Sequence, residues 1–281
     1  MSATRPPRPP STRSGPTALP PMLPALAHLA LAGMRQTLAQ RASWLGRALF
    51  IVLILIIFAR LWEAVEAEGH LPGLSARDLI WYLAITEWIV IGIPQPHLAM
   101  EADVRSGEIA AVLSRPLPWL AAKVAEALGA LLVRLAALGV AGFAAAWVLA
   151  GGLPREPAGL LLVLPLGLLA GILGTLCYAL VGLTTFWLGD STPVYWVFQK
   201  LCFLFGGLIL PLAFYPDWLR GFAEWTPFAA LLSGPGRMAL GFDPALAVVT
   251  AALLVGWSLF ACVLLAWGWG RALRRLDGAG G

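Results

Sequence analysis

The chain has 281 residues, 59% of them hydrophobic and only 12% charged, with a mean hydropathy of +0.81. Soluble domains carry about 25% charged residues, so neither a soluble domain nor a chain disordered over its bulk fits this composition. The net charge of +4 comes without a basic groove interleaved with aromatics, which sets nucleic-acid binding aside; what remains is an all-α integral membrane protein.

Residues 1–24 are rich in Pro, with Ser, Thr, Arg5, Arg8 and Arg13. They read as a disordered tail on the cytoplasmic side, and no apolar core of signal-peptide length follows directly. Residues 25–43 are weakly amphipathic and carry His28 and Arg35. They read as an interfacial connecting helix, with a cytoplasmic continuation of the first span as the alternative. From 44 to 275 the chain offers six apolar runs of membrane-spanning character. These lie near Trp44–Trp62, Leu79–Ile93, Ala122–Ala150, Ala158–Leu188, Pro193–Leu212 and Ala245–Trp269. Pro94 and Pro96 end the second. The fourth is long enough to tilt, or to break at Pro165 or at a glycine.

Orientation follows the basic residues. With the N-terminus inside, the inner segments hold Arg5, Arg8, Arg13, Arg35, Arg41, Arg47, Arg105, Arg115, Lys123, Lys200, Arg271, Arg274 and Arg275. The outer ones hold Arg60, Arg77, Arg155, Arg220 and Arg237. With Arg134, inside the third span, these account for all 19 Lys and Arg. Both termini are then cytoplasmic.

Two connections are not spans. His97–Pro116, on the inner side, mixes Met100, Val104, Ile109, Val112 and Leu113 with charges at helical spacing. It predicts one or two short interfacial helices, either a plain connector or a docking element. Pro211–Pro244, on the outer side, is too apolar for a free loop and too broken by Pro and Gly for a span. It predicts short re-entrant or interface-lying helices covered by protein or water. Trp218 and Trp225 suit the aromatic belt.

Glu87 and Arg134 lie inside spans, where a charge is costly. Both are expected to face protein, water or each other, with a proton relay as the sharper alternative. Gly167, Gly171 and Gly174 in the fourth run, and Gly206 and Gly207 in the fifth, permit close helix packing. Cys177, Cys202 and Cys262 sit singly in apolar runs and read as small buried hydrophobes. There is no phosphate loop, no HExxH and no GxSxG, and the three histidines are scattered. No catalytic or metal site of the chain's own is expected.

Three stretches carry a resemblance: Asp103-Val-Arg-Ser-Gly-Glu-Ile-Ala-Ala-Val-Leu-Ser-Arg-Pro-Leu117, Pro211-Leu-Ala-Phe-Tyr-Pro-Asp-Trp-Leu-Arg220, and Trp225-Thr-Pro-Phe228 followed by Gly234-Pro-Gly-Arg237. From about Met34 to the C-terminus the chain resembles the permease subunits of bacterial type-2 ABC exporters, in particular the daunorubicin-resistance-like group. The resemblance implies six spans in the bacterial inner membrane and pairing with a second permease, identical or homologous. It also implies separate cytoplasmic ATPase subunits, which would bind ATP and Mg; this chain would bind no cofactor directly. The segment between spans two and three then corresponds to the coupling helix, with Glu101, Asp103, Arg105, Glu108 and Arg115 as candidate docking residues. Phe214, Tyr215, Pro216, Trp218, Trp225 and Pro227 fall in the extracellular re-entrant segment. Trp88, Phe198 and Phe205 are candidates for lining a translocation path, or else are packed or lipid-facing aromatics. The implied activity is outward movement of a hydrophobic or amphipathic substrate. A membrane scaffold or assembly protein and a secondary transporter are the competing readings.

Overall fold

The computed structural model describes residues 22–71, 73–109 and 117–279. Residues 1–21 of the Pro-rich tail, and Arg115 and Pro116, lie outside them. Among the described residues the protein is helical, without strands. Four helices are long and apolar enough to cross a membrane: Ala42–Ala67, Trp119–Leu149, Gly159–Leu188 and Pro244–Arg275.

Helix α1 spans Met22–Ala39 and α2 spans Arg41–Ala67, separated at Gln40. Residues 22–24, expected in the tail, belong to α1. Pro24 falls in the first turn of α1, where a helix needs no backbone donor. The connecting helix ends at Ala39, and residues 41–43 already belong to α2. Helix α1 packs antiparallel along the helix Trp119–Leu149, here α5. A Cβ at Gly33 would strike the carbonyl of Glu126, and one at Gly129 the carbonyl of Ala30. The two backbones approach closely because both contact positions lack a side chain. In α2 the buried residues Ile51, Leu55, Ala59 and Trp62 form one stripe, while Leu49, Phe50, Leu53 and Ile57 are exposed.

Helix α3 spans Ala76–Gly92 and is the central element. Its N-terminus is a capping box: Ser75 and Asp78 bond each other's backbone amides. Asp78 also receives Arg155 at 3.5 Å. Leu79–Ile85 are all buried, so the helix is enclosed on every side. Ile93 is extended, the conformation favoured before Pro, and the turn leads into α4, Pro96–Arg105.

Helix α5 is followed by α6, Gly159–Leu183, and a single turn, α7, Thr185–Leu188. Of the two break points expected in the fourth run, Pro165 is not one: it lies in the second turn of α6 and the helix passes through it. The interruption falls at Thr184, whose hydroxyl donates to the Val181 carbonyl at 2.6 Å. Gly167, Gly171, Gly174 and Gly182 face, in turn, the Trp88 ring, Leu131, Ile93 and Met100. This stripe lets α3, α5 and α4 sit against one helix.

Helix α8, Thr192–Gly206, is shorter than the fifth apolar run, which predicts a span continuing to Leu212. Gly207 adopts φ +63° and ends it. After a 3-10 turn at Leu212–Phe214 come three short helices: α9, Asp217–Glu224; α10, Pro227–Leu231; and α11, Ser233–Arg237. The last helix, α12, spans Pro244–Ala279 and packs along α6.

Candidate functional site

Polar contacts define the two ends of the bundle. At one end the start of α3 meets the end of α5: Arg77 donates to the Ala150 carbonyl at 3.1 Å and Trp81 to that of Gly152 at 3.0 Å. At the other end the start of α5 meets α4. Asp103 accepts from Trp119 Nε1 at 2.7 Å and pairs with Lys123 at 2.8 Å.

Helix α4 is held on three sides. Met100 is fully buried against Gly182 of α6. Glu101 accepts from the backbone N–H and hydroxyl of Ser191, at 3.0 and 2.6 Å, and pairs with Arg105 at 2.8 Å. The Ser191 hydrogen bonds hold its carboxyl below the usual carboxylate range. His97 is 2% exposed and stacks on Tyr195 at 4.9 Å, with Tyr178 at 5.3 Å. Its Nδ1 has no hydrogen-bond partner among the described residues. Burial pushes its pKa down to about 4, so the ring is neutral.

The sequence-derived docking set therefore divides. The side chains of Glu101 and Asp103 turn inward and fasten α4 to the α7–α8 connection and to α5. Arg105 and Glu108 are exposed, as are Leu98 and Ala102, so α4 presents an outward face of Leu98, Ala102 and Arg105 at helical spacing. Arg115 lies outside the described residues. Sequence reasoning missed Ser191, Trp119 and Tyr195, because their partners on α4 are distant in the chain and no local spacing marks them.

From His97 a run of aromatic contacts continues along α8. Tyr178 meets Phe198 at 5.3 Å, Phe198 meets Phe228 at 5.6 Å, and Phe205 meets both Phe228, at 6.4 Å, and Phe222, at 5.2 Å. Phe198 and Phe205 are thus half-buried links between α8, α9 and α10. Trp88 is 2% exposed, donates to the Leu135 carbonyl at 2.7 Å and packs on Phe143. It belongs to the core of the chain.

The broken end of α8 is met by α3. Thr86 Oγ1 donates to the Leu208 carbonyl at 2.7 Å, and the Tyr82 hydroxyl donates to that of Gly207 at 2.5 Å. Buried backbone carbonyls are costly when unpaired, and these two groups satisfy them. Gly236 of α11 lies directly against Tyr82 and Thr86. Around this seat Phe214 and Tyr215 are half-buried, while Pro216, Trp218 and Trp225 are exposed. Pro227 opens α10 at its first position.

Glu87 is buried. Arg134 donates to the Ile93 carbonyl at 3.4 Å. Of the alternatives expected for them, both face protein and not each other among the described residues: Arg134 caps the carbonyl freed where Pro94 ends α3.

A comparison with curated proteins gives no match. The sequence profile for ABC-2 family transporter proteins matches residues 46–280, which runs from the second turn of α2 through α12 and takes in both polar ends of the bundle. The chain belongs to the ABC-2 family, and is a multi-pass membrane permease component of an ABC transporter.

Proposed function

We propose that this chain is the membrane subunit of an ATP-driven exporter of the daunorubicin-resistance-like type, in a bacterial inner membrane. It would move a hydrophobic or amphipathic substrate outward, pair with a second permease, identical or homologous, and take its drive from separate ATPase subunits that bind ATP and Mg. Six crossings are assigned to α2, α3, α5, α6 with α7, α8 with the segment to Phe214, and α12. Both termini are then cytoplasmic, and α9, α10 and α11 form the extracellular re-entrant segment.

The observation that carries the reading is the mounting of α4. Its inner face is fastened to α5, α6 and α8 by Asp103, Met100, Glu101 and His97, while Leu98 and Arg105 face away and Glu108, just beyond its end, is exposed. A helix held this way moves its three neighbours when a partner displaces it. The aromatic run along α8 extends that connection toward α9 and α10. ATP acts on such an equilibrium only through different affinity for its states. The ATPase dimer, closed with nucleotide, is the partner that supplies that difference at α4.

The test is intact-complex mass spectrometry of the full chain from its native cell, followed by a double charge reversal, Arg105→Glu with Glu108→Arg. The expected result is a complex containing an ATPase chain, with a permease count that separates homodimer from heterodimer, and loss of that ATPase from the variant. A stable assembly without ATPase, or an unchanged complex after the reversal, overturns the assignment of α4.

A further inference from the structure

Three hollows at the α9–α11 end of the bundle share one lining residue, Arg237. One, of about 360 Å³, lies between α10–α11 and α12; one, of about 270 Å³, lies under Pro211–Ala213; one, of about 610 Å³, opens beside Phe214 and Asp243. Arg237 is exposed and has no ion pair or hydrogen bond among the described residues. Neighbouring charges are engaged. Arg220 pairs with Asp217 at 3.1 Å, Glu156 accepts from the Phe242 amide at 2.6 Å, and Asp243 accepts from the Leu246 amide at 2.9 Å. Glu224 is the exception. It lines two of the three hollows with Arg237, yet does not pair with it among the described residues.

The first hollow combines this separated charge pair with an apolar wall. Leu246, Val249 and Leu253 lie on one face of α12, at helical spacing, and line it. Trp225, 81% exposed, stands at its rim. A cation and an anion held apart at the mouth of an apolar trough match a ligand that is zwitterionic at one end and hydrocarbon at the other. Guanidinium is the side chain best shaped for a phosphate diester, and a carboxylate suits an ammonium. The surroundings of a membrane protein supply one abundant molecule of this description.

We propose that the groove between α10–α11 and α12 binds a single phospholipid with a zwitterionic, ethanolamine-type head. The phosphate sits on Arg237, the ammonium on Glu224, and one acyl chain lies along Leu246, Val249 and Leu253. The site lies at the opposite end of the bundle from α4, and binding requires only that the chain be embedded in a bilayer.

The test is native mass spectrometry of the detergent-purified full chain with phosphatidylethanolamine, phosphatidylglycerol or diacylglycerol added singly. The wild type is expected to retain one phosphatidylethanolamine at the lowest lipid concentration, and no diacylglycerol. Arg237→Gln is expected to weaken retention of both phospholipids about tenfold, the scale of losing a charge-assisted hydrogen bond. Glu224→Gln should weaken phosphatidylethanolamine alone, and Arg220→Gln neither. Val249→Trp, on the lipid-exposed face of α12, fills the trough without touching the charges and should displace the lipid from a protein of unchanged melting temperature. Equal retention by wild type, Arg237→Gln and Val249→Trp would reduce the lipid to an annular one and overturn the site. Displacement of the lipid by millimolar inorganic phosphate would make it a free-phosphate site and overturn the lipid assignment. Preference for phosphatidylglycerol with no effect of Glu224→Gln would overturn the zwitterionic head.

Discussion

His97 and Glu101 set the pH behaviour of α4, and in the same direction. Folding lowers the pKa of His97 to about 4, below the ordinary histidine value, so the folded state favours the neutral ring. The stability this gives is complete above the unfolded pKa and is lost as pH falls toward the folded one. Glu101 is also held low, and its contribution fades only as pH falls below the ordinary carboxylate range. Acidification from pH 7 toward 4 should therefore release α4 first at His97. Hydrogen exchange of residues 96–105 should rise over that window, and His97→Phe, which keeps the stacking on Tyr195 but cannot charge, should flatten the response. An unchanged profile in that variant would remove His97 from the account. Charge neutralisation separates the two kinds of acid on this segment. Glu101→Gln should cost about 1–2 kcal/mol of stability, since it weakens charge-assisted bonds to Ser191 and Arg105. Glu108→Gln should stay within about 0.5 kcal/mol, as exposed substitutions do. Thermal melts of the two variants decide this. A sequence shows Glu101 and Glu108 as equivalent charges on an amphipathic stretch. What distinguishes them is Ser191, distant in the chain and brought to Glu101 only by the packing of α4 beside α6 and α8.

Among the elements, the long apolar runs are legible as helices because composition and length suffice for them. The end of α8 is not. Gly206 and Gly207 read as packing residues in a continuing span, whereas Gly207 terminates the helix in the left-handed region. The signal that makes such a stop tolerable lies in α3, where Tyr82 and Thr86 take up the freed carbonyls, and nothing local in residues 193–212 announces it. Thr86→Val keeps the shape and removes the donor. It should cost about 1–3 kcal/mol through the unsatisfied Leu208 carbonyl, with the loosening read as faster proteolysis within residues 207–216. Full stability in that variant would show that another donor serves the break. The α1–α5 crossing is hidden for a related reason. Gly33 and Gly129 are single glycines in apolar or mildly amphipathic stretches, and only their mutual placement shows that each meets the other helix's backbone. The interfacial character expected of residues 25–43 rests on amphipathicity, which does not reveal that the helix folds back along a neighbour.

At the scale of the whole molecule, the number of crossings turns on α3 and α8, the two helices that do not reach the length and hydropathy of the other four. Helix α3 has 17 residues, about 25 Å at 1.5 Å per residue. Asp78, Thr86 and Glu87 lower its hydropathy, but all three are buried, so lipid does not meet them. An enclosed helix has no need of the apolar surface by which lipid-facing spans are recognised. Its ends lie level with the opposite ends of α5, through Arg77 and Trp81 on one side and the α4 contacts of Asp103 on the other. Helix α8 starts at the Ser191 contact with α4, and the chain beyond it reaches Leu210 and Phe214, which pack with Trp62 and Leu79 near the start of α3. The two topologies then make opposite statements about two glycines. If α3 and α8 cross, Gly107 and Gly221 lie on different sides of the membrane; if only α2, α5, α6 and α12 cross, they lie on the same side. Both positions are exposed, with open space where a Cβ would stand. A cysteine at Gly107, where φ is +76°, costs about 1–2 kcal/mol of backbone strain in a surface turn, and one at Gly221 meets no such strain. Both variants should therefore fold after the three native cysteines, Cys177 and Cys202 buried as expected and Cys262 exposed, are replaced. A membrane-impermeant maleimide added to intact cells should label Gly221→Cys and leave Gly107→Cys unlabelled until the membrane is permeabilised. Labelling of both in intact cells would mean four crossings, would place α4 outside, and would separate it from any cytoplasmic ATPase.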